Sequence, residues 1–345
     1  DGLVLAAGLD RREVALMRAI GHYLRQIRLP QSQDVMWGAL RRFPAITADL
    51  LALFRARFDP QAVGDRAAAE AGIAAGIETA LGAVASLDDD TVLRRFMEVM
   101  RAMVRTDFWR PEADGSVRET IAFKLDPARV PGLPSPKPYR EIWVCGPTVE
   151  GVHLRFGPVA RGGLRWSDRA LDFRTEVLGL VKAQQVKNAV IVPVGAKGGF
   201  FPKRLAPGMS RDAFMAEGTA AYRTFVGRLL DLTDDIRGDA IVPPPSVVRH
   251  DGDDPYLVVA ADKGTATFSD TANAIAHAHG FWLDDAFASG GSVGYDHKKM
   301  GITARGAFEA VKRHFREMDR DILTDPFTVV GVGDMSGDVF GNGML

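Results

Sequence analysis

A chain of 345 residues is too long for one ordinary hydrophobic core and points to two or three domains. With 46% hydrophobic and 25% charged residues the composition is that of a soluble globular protein, and a net charge of -1 leaves no basic field for nucleic acid and no polybasic anchor for a membrane. Cys145 is the single cysteine, which excludes an internal disulfide framework and fits a reducing, cytoplasmic setting; no run of about 18 apolar residues offers a span.

The sequence opens at Asp1 without signal-peptide features and stops at Leu345 inside what reads as a strand, turn and helix, so an internal piece of a longer polypeptide is expected. Residues 1–108 read as helices. Asp10 and Glu13 have capping-box spacing ahead of Val14, Met17, Ile20, Leu24 and Ile27, which recur at helical intervals until Pro30. Ser32 and Thr47 are candidate caps for the next two helices, with Pro44 between them. Residues 68–86 form a helix with few bulky anchors, and Val92, Phe96, Val99 and Met103 make one buried stripe. Pro111, Pro127, Pro131, Pro134, Pro136 and Pro138 mark 109–140 as the domain crossing, around a short strand at 120–125.

From 141 to 320 strands and helices alternate. Strands are expected at 141–145, 151–156, 190–192 and 256–260, and helices over about 171–187, 211–231, 267–279 and 302–318. The fold class this predicts is α/β, with a largely parallel sheet in the substrate domain. A last strand at 327–331 leads into Gly331-Val332-Gly333-Asp334-Met335-Ser336-Gly337, a glycine turn of the kind that opens a Rossmann dinucleotide fold.

Several stretches bear on chemistry. Phe173, Val177 and Leu180 mark a buried helix face that Gln184 and Lys187 continue. An amide and an ammonium ending a core face suit a binding site; a lysine reaching solvent at a helix C-terminus is the plainer reading. Gly195-Ala196-Lys197-Gly198-Gly199 reads as a loop whose glycines let backbone approach a ligand, and exclusion of water is what makes an amine a base. The alternative is a glycine turn with an exposed lysine; the spacing is not that of a phosphate-binding P-loop. Asp262 closes an apolar strand, where ligands of open α/β sheets bind, or else it caps the next helix. His277 and His279 lie two apart on a helix and make a poor metal pair, Asp251, Asp253 and Asp254 read as a solvated loop, and no zinc spacing occurs, so no metal is expected.

Taken together, EGVHLRFGPVARGGLRWSDRALDFRTEVLGLVKAQQVKNAVIVPVGAKGGF, Asp262, Gly290-Gly291-Ser292 and the glycine turn at 331 closely resemble the large, bacterial-type NAD-specific glutamate dehydrogenases. The likeness is strong over about 115–345 and looser over 1–108. It implies NAD-dependent oxidative deamination of L-glutamate to 2-oxoglutarate and ammonia, by a cytoplasmic, homo-oligomeric full-length enzyme with no nucleic-acid or membrane partner. It implies a helical segment at 1–108, a catalytic domain at 141–320 and the beginning of a Rossmann domain at 321–345. Arg161-Gly162-Gly163-Leu164-Arg165 then starts the substrate site, with Arg161 or Arg165 on the distal carboxylate and Gly163 beside them. Gln184 and Lys187 match the α-carboxylate site, Lys197 the catalytic lysine and Asp262 the catalytic aspartate. Thr303 matches a threonine near the nicotinamide, and Gly331, Gly333, Asp334, Met335 and Ser336 match the cofactor turn. Two other functions stay open: a dehydrogenase of leucine, valine or phenylalanine, against which Arg161 argues, and a non-catalytic anion-binding or regulatory module.

Overall fold

The computed structural model describes residues 2–185, 194–265, 267–333, 335 and 337–343. Lys187, the strand expected at 190–192, Asp334 and Ser336 lie outside the described residues. Helices lead the chain: α1 (Gly2–Ala7), α2 (Arg11–Gln26), α3 (Gln33–Arg42), α4 (Pro44–Phe58), α5 (Arg66–Leu81) and α6 (Leu87–Ala102). The Asp10–Glu13 box forms in both directions, at 2.7 and 2.9 Å. Ser32 caps α3 through the amide of Val35. Thr47 is not a cap: Pro44 presets the first turn of α4, and the Thr47 hydroxyl donates to the Leu40 carbonyl at 2.8 Å. The expected stripe of Val92, Phe96, Val99 and Met103 is buried throughout.

The helices end earlier than 108, because Met103 already begins a sheet. Its elements are β1 (Met103–Thr106), β2 (Ile121–Leu125), β3 (Arg140–Cys145), β4 (Val149–Arg155), β5 (Ala160–Trp166), α7 (Phe173–Lys182), β6 (Val194–Pro202) and α8 (Arg211–Leu230). A hairpin of β7 (Asp235–Arg237) and β8 (Ala240–Val242) follows, then β9 (Val258–Ala261) and α9 (Ser269–His279). This compact unit spans Asp1–Ala288; a second unit, Ser289–Leu345, holds α10 (His297–Met300), α11 (Ile302–Arg316) and α12 (Asp338–Gly341).

The main sheet runs β1-β2-β3-β4-β6-β5-β9 and is mixed. The parallel pairing expected from alternation holds for β6, β5 and β9, whereas β1 through β4, and β4 with β6, pair antiparallel. The reason is connectivity. Only β5-α7-β6 and the α8-containing return to β9 supply the long crossover that parallel neighbours need, while no helix longer than a single turn separates β1 to β4. One face packs on α1 to α7 through Phe123, Trp143, Val152 and Leu154. The other packs on α8 and α9 through Ile142, Val144, Leu164 and Phe200.

Three further expectations change. The Arg161-Gly162-Gly163 stretch, where no strand was expected, and the lysine loop at 195 are both strand, in β5 and β6. Asp251 and Asp254 are not solvated: β1 and β2 bury Arg105 and Lys124 and β4 buries Arg155, and those cations draw the acids in. Arg105 Nε reaches Asp251 at 2.6 Å, Lys124 Nζ reaches it at 2.6 Å, and Lys124 and Arg155 both contact Asp254. Residues 327–331 form no strand, for among the described residues the second unit offers no other strand to pair with; Val330 and Val332 are each 94% exposed.

Candidate active site

The site begins with the seating of α7. Phe173 stacks on Trp143 with ring centroids 5.6 Å apart. Next to it, Arg174 makes two hydrogen bonds to Glu141, at 2.6 and 2.7 Å, and both side chains are buried. The amide of Arg174 donates to Gln26 Oε1, whose Nε2 donates in turn to the Ala170 carbonyl. A buried ion pair holds only when its hydrogen bonds are complete, and these are. The result is a helix fixed against β3 and α2, directly over β4, β5 and β6.

Glycine brings the strands and helix that close. A Cβ on Gly199 would lie 2.6 Å from Val177 Cγ2 on α7, and one on Gly195 would lie 2.0 Å from the Gln184 carbonyl. One on Gly162 would fall 1.4 Å from the Ala196 carbonyl, inside bonding range of a backbone atom. Close approach, rather than loop flexibility, is what these positions require.

Alternation along β5 then puts Arg161, Gly163 and Arg165 on one face, and Lys197, paired with Leu154 of β4, points to the same side. Lys197 Nζ lies 2.8 Å from Asp262 Oδ2, with the lysine side chain 7% exposed. Arg165 Nε donates to the same oxygen at 3.0 Å, while its Nη1 donates to Glu176 Oε1 of α7 at 2.9 Å. Ser167 Oγ donates to Glu176 Oε2 at 2.7 Å. Asp262 therefore does not cap α9. Burial raises its carboxyl, but the hydrogen bonds from Arg165 and Lys197 outweigh burial and hold it below the ordinary carboxylate range.

Of the remaining expected residues, Arg161 is half-buried and makes no ion pair among the described residues. Gln184 Oε1 is buried without a hydrogen-bond partner among the described residues. Thr303, Gly331, Gly333 and Met335 belong to the second unit. There the amides of Thr303 and Ala304 donate to Asp338 at 3.0 and 3.3 Å, so a carboxylate of the chain itself occupies the start of α11. Gly331 and Gly333 are exposed, with the Phe340 ring against both. Sequence reasoning missed Glu176 and Ser167. The signal was available: read as strand, 161, 163, 165 and 167 share one face.

The adjacent parallel strands β5 and β6 thus carry two guanidinium groups, Arg161 and Arg165, and a buried amine, Lys197, on one sheet face, where Lys197 and Arg165 share the partly shielded Asp262 carboxylate just past the end of β9. The chain belongs to the bacterial NAD-glutamate dehydrogenases, whose catalytic-domain model matches residues 76–345; a glutamate dehydrogenase helical-motif model matches 1–60. It is 58% identical to the NAD-specific glutamate dehydrogenase of Halomonas elongata over 99% of its length, and 57% identical to that of Mycobacterium tuberculosis over 99%. It spans only 21% and 22% of those relatives. A solved hetero-hexameric glutamate dehydrogenase from Thermus thermophilus, in its Leu-bound form, overlaps 50% of this chain and 37% of its own at 18% identity and a TM-score of 0.29, too loose a likeness to bear on fold or assembly.

Proposed function

We propose that this chain carries the substrate side of an NAD-dependent glutamate dehydrogenase, oxidising L-glutamate to 2-oxoglutarate and ammonia. The observation that carries the reading is the buried contact between Lys197 and Asp262 at 2.8 Å, beside a cation with no ion pair of its own among the described residues, Arg161. Bound NAD would accept the hydride from Cα, leaving an iminium. Lys197 takes a proton from the water that attacks the iminium carbon and passes it across the 2.8 Å contact to Asp262. Asp262 then delivers that proton to the nitrogen as the C–N bond breaks. Arg161 takes the distal carboxylate, because Arg165 is already committed to Asp262 and Glu176. That choice favours an acidic substrate over leucine, valine or phenylalanine. Gln184 and Lys187 hold the α-carboxylate, with Gly163 beside the Lys197–Asp262 pair, so the chain's part is mainly orientation.

The exposed glycines Gly331 and Gly333 would offer backbone amides to a pyrophosphate once the Phe340 ring packed against both gives way. Met335, Asp334 and Ser336 complete that turn, with Thr303 toward the nicotinamide. In this reading 321–345 begins a Rossmann domain, and the whole enzyme is a cytoplasmic homo-oligomer. The test uses the full-length enzyme. Lys197→Ala and Asp262→Asn should each lose turnover by on the order of 100-fold or more with the fold intact, whereas near-normal NADH production by either would reject the assignment.

A further inference from the structure

Arg165 is held at both ends of its fork. Nε donates to Asp262 Oδ2 at 3.0 Å and Nη1 to Glu176 Oε1 at 2.9 Å, and Ser167 donates to the second oxygen of Glu176 at 2.7 Å. The side chains of Arg165 and Glu176 are only 18% and 14% exposed. A planar guanidinium with two bound carboxylates has no freedom to swing toward a third. Asp262 lies just past the end of β9, where the strand no longer fixes its side chain, and its Oδ2 is shared by Lys197 and Arg165.

We propose that Glu176 is a positioning residue for the deamination: through Arg165 it fixes the Asp262 carboxylate beside the Lys197 amine, and it keeps Arg165 from capturing the substrate instead. This rests on the function proposed above. The four charges, two of each sign, balance one another, so the pair that moves protons works in a locally neutral setting. Removing Glu176 leaves Arg165 as a second loose cation beside an anionic substrate. Binding is then kept or tightened while the acid drifts from the amine.

The experiment is steady-state kinetics across pH on full-length enzyme carrying E176A, E176Q or S167A, with K197A and D262N in the same series. E176A should lower kcat by on the order of 10- to 100-fold without raising the KM for glutamate, since misplacement rather than lost binding is the fault. E176Q should fall between E176A and wild type, because its amide oxygen still accepts from Arg165. The acid limb of the kcat profile should move up by about half a unit or more in E176A as Arg165 loosens from Asp262. S167A should show a smaller loss in the same direction, and it decides the matter if E176A does not fold. A kcat within about threefold of wild type with an unmoved acid limb, or a loss confined to KM, overturns the positioning role. If K197A and D262N stay active, the proposed function fails; if they are inactive and E176A is not impaired, only the role of Glu176 fails.

Discussion

Lys197 of β6 and Asp262 beyond β9 meet at 2.8 Å across β5, a strand that contains neither of them. Gly163 is the residue of β5 between them: register places it beside Ala260, and a Cβ there would lie 3.0 Å from Asp262 Cβ and 2.7 Å from the Ala261 carbonyl. Gly163→Ala should therefore push the β9 end away and open the pair. We expect at least a tenfold loss of kcat in the full-length enzyme with a far smaller change in melting temperature. Kinetics and a thermal melt on one preparation check this, and unchanged turnover counts against it.

Arg161 and Arg165 share a strand face, but among the described residues only Arg165 is ion-paired. With Arg165 committed to Asp262 and Glu176, Arg161→Met should raise the KM for glutamate by on the order of 100-fold, the loss expected for one charge-assisted carboxylate contact. Activity toward norvaline, which lacks the distal carboxylate, should be little altered. If glutamate KM is unchanged in that variant, the distal carboxylate binds elsewhere.

His153 lies on the opposite sheet face from Lys197, in register with Gly198. Burial, with Arg155 nearby adding to it, pushes its imidazole down to about 3, and Nε2 finds no partner among the described residues. Its value in the unfolded chain is about 6.5. The unfolded state thus binds an extra proton between those limits, and the stability from a neutral His153 is whole above about 6.5 and is lost as pH falls toward 3. Each pH unit in that window should cost about 1.4 kcal/mol from this group. His153→Gln removes the titration, so the slope of unfolding free energy against pH should flatten by that amount; an unaltered slope rules the explanation out.

Part of this was legible in the sequence. The capping box at Asp10 and the stripe from Val92 to Met103 follow from local spacing, whereas Lys197 and Asp262 stood out locally with plainer readings open and were paired only by the family resemblance. The glycine runs did not, because glycine is a poor strand former and reads as a turn wherever it clusters. What places Gly162 and Gly195 in strands is the backbone pressed against them, Ala196 in one case and Gln184 in the other, which only the folded chain supplies. Asp251 and Asp254 misled for the same reason. Acids in a row read as solvated until Arg105, Lys124 and Arg155, far upstream, are found buried beside them. Glu176 was hidden because no strand was expected at its partner Arg165.

The central claim is that Lys197 and Asp262 act as one unit, and a double-mutant cycle on kcat tests it most directly. In the full-length enzyme, Lys197→Ala combined with Asp262→Asn should be no more than about tenfold slower than the worse single variant, as groups serving one step are strongly non-additive. Losses that multiply, each substitution costing its full factor in the presence of the other, would show two independent contributions and contradict the account.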